Sequence, residues 1–262
     1  MSSKEYLLQN IPNHITISYT ISMYSDYTNK IPKRRVIQKE LQKETAERLS
    51  RIDTELADGF DFMNRYNDTV SFFGSARLPA DSPHYKKAQE LAGALAKDGY
   101  TIVTGGGEGI MEAADRGAME AGNHSIGLNI KLPHEQVVNP YATDVMSFKY
   151  FFTRKVTLAY GAMAYVYFPG GFGTLDELFE IVTMVQTRKM PKAPIILVGS
   201  EFWTALDRLV KTYMLNDLHT ISPGDEKLYT ITDDIFVIQA MIDDHRNKTS
   251  ALSALAQPAA AA

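Results

Sequence analysis

YTIVTGGGEGIMEAADRGAMEAG, residues 100–122, joins an apolar β-type run to an amphipathic helix through a bare glycine turn. Tyr100–Thr104 is short and rich in β-branched residues, Gly105, Gly106 and Gly107 turn the chain, and a helix from Gly109 to Ala121 stops at Gly122. The same unit recurs on both sides. Upstream, the apolar run 69–74 (TVSFFG) is followed by a helix from Ser82 to Asp98, stopped by Gly99. Downstream, strand-like runs at 124–130, 144–150, 164–168, 194–198 and 228–232 flank amphipathic stretches at 151–161, 173–188 and 202–215. Strands separated by helices of this length are βαβ units, which predicts an α/β fold with an open parallel sheet and helices on both faces. The unbroken apolar run Ile195–Val198 suits a strand covered on both sides.

Composition narrows the function classes. A chain of 262 residues is large enough for one sizeable core. Lys plus Arg number 27 against 31 Asp plus Glu, a formal charge of −4, so no basic excess favours nucleic acid or a membrane surface. The absence of cysteine excludes disulfides, thiolate metal sites and a cysteine nucleophile, and suits a reducing compartment. No apolar run approaches 18 residues, and Met1-Ser2-Ser3-Lys4-Glu5 lacks the apolar core of a signal peptide, which points to the cytoplasm. The six histidines form no His-x-x-x-His pair and no His-Glu-x-x-His, so a zinc site is not expected and no metal-binding residue is assigned.

Three zones are expected. Residues 1–67 form an N-terminal helical extension, with Val36, Leu41, Leu49, Ile52, Leu56, Phe60 and Met63 recurring at spacings near three and four. Ahead of them Ile15, Ile17 and Tyr19 alternate like a short strand. Residues 68–247 hold the α/β unit. Residues 248–262, small and uncharged from Ser250 onward, are expected to be a disordered tail.

A second glycine loop follows Ala164–Phe168: Pro169-Gly170-Gly171-Phe172-Gly173-Thr174-Leu175-Asp176-Glu177. Glycine lets a ligand approach main-chain N–H groups, and the helix start supplies unpaired donors and a positive dipole end. Two such loops at the carboxyl ends of parallel strands suit a phosphorylated ligand. Ile110 stands where the dinucleotide fingerprint Gly-x-Gly-x-x-Gly requires glycine, and no Gly-Lys-Ser/Thr follows, so neither that motif nor a P-loop is present.

The nine residues 169–177 match the P-G-G-x-G-T-x-x-E signature of the LONELY GUY family, which the chain resembles over about residues 69–245. Phe151-Phe152-Thr153-Arg154-Lys155 is similar to that family's companion motif, with Phe151 where a Met is often found. Phe73-Gly74-Ser75-Ala76-Arg77 and Gly105–Met111 resemble its first two loops. The resemblance implies a Rossmann-like fold, hydrolysis of AMP or N6-modified cytokinin nucleotides to free base and ribose 5-phosphate, no cofactor, and a homodimer or higher homo-oligomer. Members are often labelled lysine decarboxylases, yet no pyridoxal-lysine context is visible here.

N-glycosidic bonds break through an oxocarbenium-like sugar, which a carboxylate stabilises while activating water. The resemblance assigns that role to Glu177. Spacing alone favours the other reading, Thr174-x-x-Glu177 as a capping box with Glu177 bonded to the backbone of Thr174, and only the resemblance reverses it. Arg154 is the second catalytic candidate, with Lys155 beside it, although a basic pair on a helix is commonly a solvated face. Asp176 and Glu180 read as structural neighbours. Substrate contacts are expected from Ser75, Gly105, Gly106, Gly107, Glu135, Lys155, Gly170, Gly171, Phe172, Gly173, Thr174 and Thr183. Of these Thr183 rests on resemblance alone, and Glu135, next to His134, lies in a loosely matched loop. The competing reading is a non-catalytic nucleotide-binding or cofactor-carrier protein of the same fold, which would need the glycines but not the Arg154–Glu177 pair.

Overall fold

The computed structural model describes residues 38–131 and 138–256. The Ile15–Tyr19 alternation, His134 and Glu135 lie outside them. The chain divides between Arg51 and Ile52, and the described part of the first unit, 38–51, is helical throughout. Where a helix or pair of helices was expected over Pro32–Tyr66, the described residues form one, α1 (Gln38–Met63).

The second unit runs β1 (Thr69–Phe73), α2 (Pro83–Lys97), β2 (Thr101–Thr104), α3 (Ile110–Glu120), β3 (Ser125–Ile130), β4 (Asp144–Phe148), α4 (Phe151–Ala159), β5 (Ala162–Tyr167), α5 (Phe172–Gln186), β6 (Ile195–Leu197), α6 (Ser200–Arg208), β7 (Thr230–Ile231) and α7 (Ile235–Ala256). Local signals fix many of these ends. Ser82 Oγ accepts the Tyr85 N–H at 3.1 Å and Pro83 opens α2. Gly99, at φ +90°, turns the chain out of α2 into β2.

All seven strands are parallel, in the order β4-β3-β2-β1-β5-β6-β7. The first four strands grow the sheet in one direction from β1, and β5 returns to pair on its other edge. The order therefore reverses between β1 and β5, and the crevice at their carboxyl ends is where such sheets bind ligands. Alternate strand residues feed two cores. Val70, Phe72, Ile102 and Val166 meet α2, α3 and α7 on one face; Phe73, Val103, Tyr165 and Tyr167 meet α4, α5 and α6 on the other. Phe62 and Met63, from the end of α1, join the second core.

Three expectations are corrected. α7 continues through Ala256, so Ser250–Ala256 is helical where a disordered tail was expected. The stretch 202–215 is not one α-helix, because α6 passes at Leu209 into a π-helix ending at Asp217. The strand expected over 228–232 shrinks to the edge pair Thr230–Ile231. Among the described residues no helix is long and apolar enough to cross a membrane.

Candidate active site

Backbone hydrogen bonds knit the three loops leaving β1, β2 and β5. Ser75 N–H donates to the Pro169 carbonyl at 3.0 Å, and Ile110 N–H donates to the Ser75 carbonyl at 3.0 Å. Ser75 thus bridges the glycine loops through its main chain, while its hydroxyl accepts Arg77 N–H at 3.1 Å. Gly109, at φ +66°, passes against Ser75 and Ala76 so closely that a Cβ there would collide with backbone.

The first glycine loop is held from beneath by a buried polar cluster. Thr104 Oγ1 donates to Asp115 Oδ2 at 2.8 Å and accepts the Gly106 N–H at 2.9 Å. Asn139 Nδ2 donates to the same carboxylate oxygen at 2.7 Å and to the Gly107 carbonyl at 2.9 Å, and its N–H donates to the Gly106 carbonyl at 2.9 Å. Burial pushes Asp115 up to about 7, against the pull of the Asn139 and Thr104 hydrogen bonds. Sequence reading missed this cluster. The Gly106 amide is engaged within it, so the loop's shape is set by protein groups as well as by any ligand.

Arg154 rises from the first turn of α4 onto this loop. Its Nε donates to the Leu128 carbonyl at 2.6 Å, and a methyl on Gly105 would overlap its guanidinium. Glycine at 105 is required by that approach rather than by a turn. Burial lowers the pKa of Arg154, and the charge of Glu177 opposes that shift.

Glu177 stands on α5 above the second loop. Gly171 is the N-cap and Phe172 the first helical residue, so Thr174 and Glu177 occupy the third and sixth helical positions. The capping-box alternative is thereby excluded, since it needs Thr174 at the cap itself. Thr174 is buried instead, its hydroxyl against Gly170, where a Cβ would collide with it. Gly171 and Gly173 face open space, and Phe172 is 93% exposed, so packing does not demand glycine at either position. Burial drives the Glu177 carboxyl up to about 7; Lys155 and Arg154 lower it, and Glu180 and Asp176 raise it.

Lys155 is committed to protein partners. Its Nζ lies 2.7 Å from Asp176 Oδ2 and 2.6 Å from Glu180 Oε2, the carboxylates flanking Glu177 on α5. Burial opposes its charge, but those two hydrogen bonds outweigh it and raise its pKa. Glu180, a mere helix neighbour in the sequence reading, is part of this clamp. Thr183 is exposed, and its six-residue spacing places it about 240° around the helix from Glu177, so α5 does not bring the two to one face.

Arg154 and Glu177 stand on α4 and α5, on either side of β5, at the strand-order reversal where open parallel α/β sheets bind ligands. The family described as possible lysine decarboxylase matches residues 111–241, half of the chain, and the chain belongs to that family. The match contains the Arg154 and Glu177 motifs and stops short of the first loop and α1. Among curated relatives, a probable cytokinin riboside 5′-monophosphate phosphoribohydrolase of Oryza sativa subsp. japonica is 31% identical over 126 residues, covering 47% of this chain and 59% of the relative. The enzyme of that name from Mycobacterium marinum is 29% identical over 170 residues, 55% of this chain and 91% of the relative. The chain spans little more than half the length of the rice relatives it matches. Among solved structures, a molybdenum cofactor binding protein of Rippkaea orientalis superposes with a TM-score of 0.51 at 18% identity, over 68% of this chain and 96% of that one. A structural-genomics target superposes at 0.52 with 24% identity, over 68% and 99%. These last two likenesses establish the fold.

Proposed function

We propose that this chain hydrolyses the N-glycosidic bond of nucleoside 5′-monophosphates, AMP or its N6-modified analogues, releasing free base and ribose 5-phosphate. The observation that carries this reading is the half-buried Glu177 at the start of α5 together with the Arg154 guanidinium seated against Gly105, each acting on the other's charge, with burial pushing the Glu177 carboxyl up to about 7. The names of the curated relatives point to the same substrate class.

In this reading the 5′-phosphate lies at the start of α5, where the first turn of a helix presents unpaired N–H groups. Glu177 in its ionised form faces the anomeric carbon. The bond from C1′ to the base breaks, its electron pair leaving with the base; water forms the new C1′–O bond while giving one proton to Glu177, and that proton passes on to the departing base, which restores the carboxylate. Arg154, Lys155, Asp176, ionised Glu177 and Glu180 then carry two positive and three negative charges, so the site is complementary to a sugar cation. Lys155 acts by balancing Asp176 and Glu180, which leaves Glu177 able to ionise near neutrality.

A cofactor carrier on the same fold would use the loops but leaves the perturbed carboxyl without a task. Purified protein incubated with AMP, N6-substituted AMP and adenosine, with free base detected, tests the proposal. Release from the nucleotides far exceeding that from adenosine is the expected result, and equal rates on AMP and adenosine contradict it.

A further inference from the structure

α4, the helix that presents Arg154 and Lys155, has no N-cap of its own: Tyr150 occupies the cap position and its side chain makes no capping hydrogen bond. A carboxylate from nearly a hundred residues upstream instead holds the two residues that lead into the helix. Glu55 on α1 accepts the Lys149 N–H at 2.8 Å through Oε2, and the Tyr150 N–H at 3.1 Å and the Thr153 hydroxyl at 2.5 Å through Oε1. A carboxylate at a helix start also meets the positive end of the helix dipole. The contact continues along both helices. Gly59 packs on Thr157 so tightly that a Cβ would strike the threonine hydroxyl, Phe60 and Tyr160 have ring centroids 4.5 Å apart, and Tyr160 donates to Asn64 at 3.2 Å. Residues 55–64 thus lie along the face of α4 that holds Thr153 and Thr157, and Arg154 leaves α4 toward Leu128 and Gly105.

We propose that Glu55 is a positioning residue, which fixes the first turn of α4 and thereby the seat of the Arg154 guanidinium between Leu128 and Gly105. It touches no substrate atom and acts through Thr153 and the backbone of residues 149 and 150. A seat fixed by hydrogen bonds at both ends matters because displacement of a catalytic group by about 1 Å can cost two orders of magnitude in rate. The activity arm of the test rests on the nucleotide-hydrolysis reading; the spectroscopic arm does not.

The experiment compares Glu55→Ala and the milder Glu55→Gln, each in the wild-type chain and in the Arg154→Ala background. Base release from AMP and the NMR signal of the Arg154 Nε–H, which marks its hydrogen bond to Leu128, are both recorded. If Glu55 acts through Arg154, Glu55→Ala lowers kcat/KM at least about tenfold in the wild-type chain and less than about twofold once Arg154 is gone. Glu55→Gln, which keeps one carbonyl acceptor, gives an intermediate loss and exchanges the Nε–H at least about tenfold faster than wild type. Equal losses in both backgrounds, or an Nε–H unchanged in Glu55→Gln, overturn the inference. If the wild-type chain releases no base from AMP, the hydrolysis reading fails by itself, and the Nε–H exchange rate alone decides the role of Glu55.

Discussion

The guanidinium of Arg154 occupies the space that a side chain at Gly105 would fill. The first glycine loop and the Arg-Lys motif, 49 residues apart, are therefore one construction. Gly105 is not among the positive-φ glycines, so alanine there strains no backbone and acts by displacing the side chains of Arg154 and Met111. Gly105→Ala is expected to stay folded and to lower kcat/KM for AMP at least about tenfold. Steady-state kinetics beside a melting curve check this, and a folded variant with wild-type kinetics contradicts it.

Glu177 sets the pH dependence. As a base and counter-charge it works ionised, so kcat/KM should rise with pH through about 7 and level off above. A pH–rate profile checks this; activity flat from pH 5 to 9 contradicts it.

The same carboxyl makes a stability prediction of definite sign. Its folded pKa lies above the ordinary carboxylate value of 4.5, so its stabilising contribution is complete below that value and is lost as pH rises through about 7. Glu177→Gln, which cannot ionise, should therefore gain in Tm relative to wild type between pH 5 and pH 8. Asp115, also raised to about 7, is common to both proteins and cancels in the difference.

Asp115→Ala removes the acceptor shared by Thr104 and Asn139 in a buried site. Stranding such donors costs about 1–3 kcal/mol, so the midpoint of denaturant unfolding should fall accordingly. An unchanged midpoint would mean that the cluster does not hold the loop.

α4 and α5 also expose Phe151, Phe152, Phe172 and Phe179. Apolar side chains displayed in this number on neighbouring helices suit a partner surface. Light scattering is expected to give at least twice the chain mass of 29.2 kDa, with Phe179→Glu shifting it toward one chain. A wild-type monomer at micromolar concentration contradicts a homodimer.

Strand–glycine–helix punctuation made the parallel sheet legible, because turn chemistry and apolar runs are local. Arg154 and Glu177 were legible through their motifs. The role of Thr174 was not: a Thr-x-x-Glu pattern reads as a capping box only if the helix starts there, and Gly171 lets it start earlier. Ser250–Ala256 misled by composition, since small uncharged residues read as disorder, yet alanine is the best helix former and α7 is already under way. Glu55 and the Thr104–Asp115–Asn139 cluster were invisible because their partners are distant in sequence. A lone Glu on a charged helix, or a lone Asn in a loop, carries no local mark of a buried partner.

The most direct test of the account is the turnover of AMP by Glu177→Gln. Gln keeps the shape of the side chain but supplies neither the negative charge nor the base. The variant is expected to fold, to bind AMP still through the loops, and to release base at least about a hundredfold more slowly, the scale expected for loss of a general base. Turnover near the wild-type rate would contradict it and remove Glu177 from the chemistry.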